Sequence, residues 1–97
     1  MTKKELDVEL DHAKDLEEKF YSSKTKEEQR EFFIQFLDCF NCTLALLDEL
    51  CNNEEISCYK MSFITLNLCD RRDDMRAYLI MTRSQEELSE LKGGILE

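Results

Sequence analysis

The near absence of turn-forming residues restricts the fold more than any other feature. The chain of 97 residues contains no proline, and its two glycines stand side by side at Gly93 and Gly94. Sandwiches, barrels and doubly wound sheets rely on glycine and proline in their many tight turns. Long helices joined by short polar connections do not need them. Because the length is that of one small domain, we expect a single helical domain over residues 1–97.

Apolar residues recur at intervals of three and four along the first half of the chain, as on one face of an amphipathic helix. In residues 2–22 this face consists of Leu6, Leu10, Ala13, Leu16 and Phe20. Residues 25–52 carry a wider stripe, made of Phe33, Phe36, Leu37, Phe40, Leu44, Leu47 and Cys51 and flanked by Phe32, Cys39, Leu46 and Leu50. Such a wide stripe predicts a central helix with more than one neighbour, or a surface for self-association.

Polar residues predict the limits of the second helix. Thr25 and Glu28 have the spacing of a capping box, in which the hydroxyl accepts a hydrogen bond from a free backbone amide and the carboxylate reaches back. Asn52 and Asn53 predict the end of the helix, because asparagine tolerates the left-handed conformation found there.

Residues 57–83 are compatible with two structures. A helix would have one face made of Cys58, Met61, Thr65, Leu68 and Cys69. Tyr59, Phe63 and Leu66 would extend this face. Alternatively, residues 64–68 and 75–82 would be two strands, joined by a loop at residues 70–74. The helix is favoured because that loop lacks glycine and asparagine, which short hairpin turns prefer.

The expected fold is therefore all-α, an antiparallel bundle of three or four helices. The alternative is an α+β fold with a β-hairpin around residues 57–83. In the helical case a new helix is expected to start near Asp70 and another at Ser84, the latter ending at Gly93 and Gly94.

The charge and the cysteine content indicate which partners the protein can bind and in which cellular compartment it is expected. The net charge of −9 argues against direct binding of nucleic acid or of an anionic membrane, since both bind through clustered lysine and arginine. No apolar run is long enough to cross a bilayer, and the first residues lack the apolar segment of a signal peptide. The five cysteines are an odd number, which is unusual for a disulfide-stapled secreted domain. We expect a cytoplasmic protein whose thiols pack as small apolar groups.

The cysteine pair Cys39-Phe40-Asn41-Cys42 matches C-x-x-C, but it falls in the middle of a predicted helix rather than at the N-terminus that redox pairs use. A zinc site would need a second close pair, and His12, the only histidine, is predicted on the wet side of its helix. The sequence therefore predicts no catalytic residue, no cofactor and no metal site.

Glu27-Glu28-Gln29-Arg30-Glu31 has the form E-E-x-x-E. This pattern resembles the first metal-binding motif of the all-α nucleoside triphosphate pyrophosphohydrolases, the MazG-like family. The resemblance implies a magnesium-dependent nucleotide hydrolase with Glu27, Glu28 and Glu31 as ligands. The family also has E-x-x-D on the next core helix, where this chain offers only Asp70-Arg71-Arg72-Asp73.

Arginines stand out within the acidic sequence around residue 70, and arginine is favoured at protein interfaces. The predicted partner-binding residues are Arg71, Arg72, Arg76 and Phe32. The expected function is a small non-enzymatic protein-binding factor: a regulator, an inhibitor, an immunity-type protein or a chaperone. Its partner would be another protein, with homo-oligomerisation as a further expectation. The alternatives are the nucleotide pyrophosphohydrolase and an inhibitor that mimics nucleic-acid charge.

Overall fold

Three helices make up the chain. The computed structural model describes the backbone over residues 2–95 and the side chains over residues 3–81. The helices are α1 (Thr2–Ser22), α2 (Lys26–Asn52) and α3 (Cys58–Ile95). The backbone contains no strand over residues 2–95. The prediction of an all-α helical bundle is confirmed.

The alternative hairpin around residues 57–83 is wrong, because residues 58–95 form a single helix of 38 residues. The expected helix starts at Asp70 and Ser84 are also wrong, since α3 passes through both and extends beyond Gly93 and Gly94. Leu68 and Met75 are seven residues apart and both are buried in the core. Because residues with this spacing lie on one helix face, a continuous helix keeps both of them packed against the core. The charged residues between them are accommodated on the other faces.

Helix α2 lies between α1 and α3 and packs against both. Consecutive helices are antiparallel. Phe20, near the end of α1, contacts Phe33, near the start of α2, with ring centroids 6.2 Å apart. Leu6, near the start of α1, packs instead with Leu47 and Leu50 near the end of α2. The central position predicted for the second helix is confirmed.

Two apolar clusters hold the helices together. The larger one consists of Ala13, Leu16, Phe20, Phe36, Cys39, Phe40, Leu68 and Met75. The smaller one is built on Leu6, Leu47 and Leu50, and Ile56, Met61 and Ile64 pack against it. All three helices contribute to the core, and the apolar faces predicted for α1 and α2 point into it.

Helices α1 and α3 meet directly near the end of α1. Arg71 donates from Nε to Oε1 of Glu17 at 3.2 Å, and its Nη2 lies 3.2 Å from the same oxygen. Tyr78 packs edge-on against Phe20 and Tyr21, with centroids 5.8 and 5.1 Å away. These contacts join α3 directly to the end of α1.

Hydrogen bonds cap both ends of α2 and the start of α3. The Thr25 hydroxyl accepts from the Glu28 amide at 3.2 Å, as the predicted capping box requires. Helix α2 ends at Asn52, as predicted, but Glu54 rather than an asparagine has the positive φ, 60°. The Glu54 amide donates to the Cys51 carbonyl and the Glu55 amide to the Leu50 carbonyl, the pattern of a Schellman motif. Ser57 then caps α3, since its hydroxyl accepts from the Lys60 amide at 3.1 Å.

The Cα envelope measures 62 × 22 × 14 Å. At about 1.5 Å per residue, α3 is roughly 57 Å long and accounts for most of the longest dimension. Within the described part of the chain, none of the helices combines the length and the apolar character that a membrane span requires.

Candidate functional site

Helix α3 carries apolar side chains on the side that faces away from the core. Tyr59, Phe63 and Leu66 follow one another at four- and three-residue intervals and are 83%, 66% and 64% exposed. Residues with this spacing are neighbours on one helix face. The sequence had predicted that these residues extend the face that contains Met61 and Leu68, and that prediction is wrong, since Leu68 is buried whereas these three residues are exposed. We call this side, formed by Tyr59, Phe63, Leu66 and the aspartates that follow, the outer face of α3.

The outer face becomes acidic one turn after Leu66. Asp70, Asp73 and Asp74 continue the same side of the helix and are all exposed. Further along, Met81 is also exposed, at 65%. The outer face therefore presents an apolar segment followed by a negatively charged one, on a single helix.

Two of the predicted partner-binding arginines are engaged within the chain. Arg71 pairs with Glu17 and lies over the Phe36 ring, with its Cζ 5.9 Å from the centroid. Arg72 pairs with Asp73 and lies over the Phe40 ring at 5.2 Å. Arg76 is exposed, and Phe32 is half-buried against the larger core cluster. Phe32 lies on α2, whereas the three arginines lie on α3.

The three glutamates of E-E-x-x-E lie in the first turns of α2. Glu27, Glu28 and Glu31 are all exposed. Among the residues whose side chains are described, the group of three or more potential metal ligands consists of other residues, Glu9, His12 and Cys39. The structure therefore does not bring the glutamates together with Asp70 or Asp73.

A cleft between α1 and α2 contains that ligand group. It has a volume of about 270 Å³ and is lined by Glu9, His12, Gln35, Asp38, Cys39 and Cys42. The ligand atoms of Glu9, His12 and Cys39 lie within 4.8 Å of one another. A larger open groove of about 720 Å³ shares Glu9 and Cys42 and runs along Val8, Ala45 and Leu46.

Cys39 is buried and held by hydrogen bonds inside this cleft. Its thiol lies 3.2 Å from the main-chain carbonyl of Glu9 and 3.1 Å from Oε2 of the same residue, and it donates to these oxygens. Burial, and then the hydrogen bond to Glu9, raise the pKa of the Cys39 thiol to about 12. In the absence of another ligand, Cys39 therefore stays protonated at neutral pH. The prediction that the thiols pack as small apolar groups is confirmed for Cys39 but is wrong for Cys42 and Cys58, which are exposed.

A second pair of thiols lies at the junction of α2 and α3. The sulfur atoms of Cys51 and Cys58 are 3.3 Å apart, and Cys58 is exposed. The hydrogen bond with Cys58 is the main cause of a raised pKa for the Cys51 thiol. These two cysteines are seven positions apart in the sequence, so the turn between the helices brings them together.

Neither the ligand group in the cleft nor the Cys51–Cys58 pair was predicted from the sequence. The signal for the cleft was present as two pairs with i, i+3 spacing, Glu9 with His12 and Cys39 with Cys42. Each pair occupies one helix face, but only the antiparallel register of α1 and α2 shows that the faces meet. For Cys51 and Cys58, the geometry of the intervening turn decides the distance, and no sequence pattern encodes it.

Comparison of the chain with protein-family models, with curated proteins and with solved structures finds no match.

Proposed function

We propose that this chain is a non-enzymatic protein-binding factor of the cytoplasm that captures an amphipathic helix of another protein on the outer face of α3. The supporting observation is the exposed row of Tyr59, Phe63 and Leu66 on the side of α3 opposite the core. Soluble monomers rarely expose contiguous apolar patches of more than a few hundred Å², and larger patches mark interaction sites. Burial of this row against a partner would stabilise the complex by about 25 cal/mol for each Å² of apolar surface covered.

The spacing of the row suits a helical partner. Amphipathic helices are recognised through anchor side chains at positions such as i, i+4 and i+7. Tyr59, Phe63 and Leu66 have this spacing themselves, so a partner helix with a matching row would pack along α3.

Charge specifies the partner further. Asp70, Asp73 and Asp74 continue the outer face beyond the apolar row, and the whole chain has a net charge of −9. A partner with lysine or arginine one or two turns beyond its apolar anchors would match this distribution and be attracted at long range. A second copy of the chain would bring acidic surfaces together instead. Arg76, also exposed on α3, stays a predicted contact at the margin of this surface.

The decisive experiment places a photo-reactive benzoylphenylalanine at position 63 in the full chain. After irradiation in lysate of the native host, mass spectrometry identifies the segment attached to residue 63. We expect a predominantly helical, amphipathic segment with basic residues next to its apolar anchors, and less cross-linking as salt is raised. The matched control carries the same group at Val8, which is 63% exposed on α1 and lines the other groove.

Three results would overturn the proposal. The first is attachment to an acidic or non-helical segment. The second is equal capture by position 63 and by position 8, which would indicate non-specific adhesion. The third is attachment of residue 63 to a second copy of this chain, together with a dimer by light scattering that Phe63→Ser dissociates. In the expected case, Tyr59→Ser and Leu66→Ser abolish capture by the group at position 63, whereas Val8→Ser leaves it unchanged.

A further inference from the structure

The cleft between α1 and α2 contains two pairs of side chains that face each other. Glu9 and His12 lie one turn apart on α1, and Cys39 and Cys42 lie one turn apart on α2. Residues three apart share a helix face, so each pair presents both of its ligand atoms in the same direction. Because α1 and α2 are antiparallel neighbours, the two pairs line the same cavity of about 270 Å³.

The distances are close to those of a metal centre. The Cys39 sulfur lies 3.1 Å from the Glu9 carboxylate, and both atoms lie within 4.8 Å of a His12 ring nitrogen. Ligand atoms bound to tetrahedral zinc at about 2.0–2.3 Å are about 3.3–3.7 Å apart. His12 is exposed, so its ring can rotate toward the other two without disturbing the core. Cys42, also exposed, lines the cavity one turn away and can supply the fourth ligand.

The chemistry of these groups selects the metal. Imidazole and thiolate bind zinc and other borderline-soft transition metals, whereas magnesium and calcium prefer sites made only of oxygen ligands. We propose that Glu9, His12, Cys39 and Cys42 form a zinc-binding site that joins α1 to α2. This site is separate from the outer face of α3 and does not depend on the proposed function. All four ligands come from protein, which is typical of structural zinc rather than catalytic zinc.

The test uses the full chain in a reducing buffer without competing thiols. We expect one equivalent of Zn²⁺ to bind and to raise the thermal midpoint, since a ligand that binds only the folded state stabilises it. The single histidine provides a direct readout, because every imidazole resonance in the NMR spectrum belongs to His12. These resonances should shift on addition of one equivalent of Zn²⁺. Co²⁺ in place of Zn²⁺ should give thiolate-to-cobalt charge-transfer absorption and tetrahedral d–d bands.

Variants separate this site from the other thiol pair. His12→Ala and Cys42→Ser change exposed residues and should leave the fold intact. Changes next to a metal ligand weaken binding by about 10- to 100-fold, so loss of a ligand should weaken it at least about tenfold. The matched control replaces both Cys51 and Cys58 with serine, and this variant should bind Zn²⁺ as tightly as the unaltered chain. Unchanged His12 resonances with Zn²⁺ bound, loss of binding in the control variant, or no binding at all would overturn the proposal.

Discussion

The thiol sulfurs of Cys51 and Cys58 lie 3.3 Å apart, where the last turn of α2 meets the first turn of α3. They are seven positions apart in the sequence, and the Schellman turn at Glu54 brings them together. Each thiol donates to or accepts from the other, and the arrangement links the end of one helix to the start of the next.

We predict that hydrogen peroxide converts this pair into an intramolecular disulfide. The two thiols lose two hydrogen atoms and form one sulfur–sulfur bond, while the peroxide is reduced to two molecules of water. Because the hydrogen bond with Cys58 raises the pKa of the Cys51 thiol, the Cys51 thiolate is scarce at neutral pH and becomes more abundant as pH rises, so the reaction should accelerate with pH. Peptide mapping should show the Cys51–Cys58 linkage. Cys69→Ser should not change its yield, and a disulfide that involves Cys69 instead would contradict the prediction.

Glu54→Gly is expected to stabilise the protein. Glu54 has φ of 60°, a conformation that costs a residue with a Cβ atom about 1 kcal/mol and that glycine adopts freely. Relief of this cost should raise the free energy of unfolding by about 1 kcal/mol, or the thermal midpoint by about 4–8 °C. Thermal and urea unfolding measure the change. Glu55→Gly is the control: no positive φ is found there, so this glycine should destabilise. Equal effects of the two changes would contradict the prediction.

The ion pair between Glu17 and Arg71 should contribute measurable coupling between α1 and α3. Both side chains are less than one-quarter exposed, at 24% and 21%, and two guanidinium nitrogens approach one oxygen at 3.2 Å. A double-mutant cycle with Glu17→Gln and Arg71→Met should give a coupling energy of about 1 kcal/mol, at the upper end for surface pairs. The control cycle on Arg72 and Asp73, where the aspartate is 59% exposed, should give a smaller value. Coupling that is equal in both cycles would mean that bridging the two helices adds nothing.

Cys39 should be the slowest cysteine to react with a thiol reagent in the metal-free chain. Its pKa is raised from 9.0 to about 12 by burial and by the hydrogen bond to Glu9, and its side chain is only 4% exposed. The thiolate is therefore rare until the pH approaches 12, and the reagent reaches it only when the structure opens. Cys42, one turn away and exposed, should react quickly at pH 8. Time-resolved alkylation with peptide mass spectrometry measures both rates. Comparable rates in the folded chain would contradict the buried position of Cys39.

Local patterns in the sequence were sufficient for the first two helices. The apolar residues of α1 and α2 recur with the helical period, and Phe20 and Phe36 among them are fully buried. The cap at Thr25 and the end at Asn52 were also predictable, because capping involves a few consecutive residues. The charged cluster at residues 70–74 led to the wrong prediction of a helix start near Asp70. Charged residues suggest a break between elements, but they are equally stable on an exposed helix face.

The sequence by itself therefore determined the helical class, the limits of α2 and the inward faces of α1 and α2, all of which depend on interactions between near neighbours along the chain. Only the tertiary structure decided which of two apolar faces of α3 is buried, because both have helical spacing. Packing against α2 selects Met61, Leu68 and Met75 and leaves Tyr59, Phe63 and Leu66 exposed. The register between α1 and α2 likewise brings Glu9 and His12 to Cys39, thirty residues away from Glu9. Contacts between residues so far apart in sequence are set by how helices pack, which local periodicity does not specify.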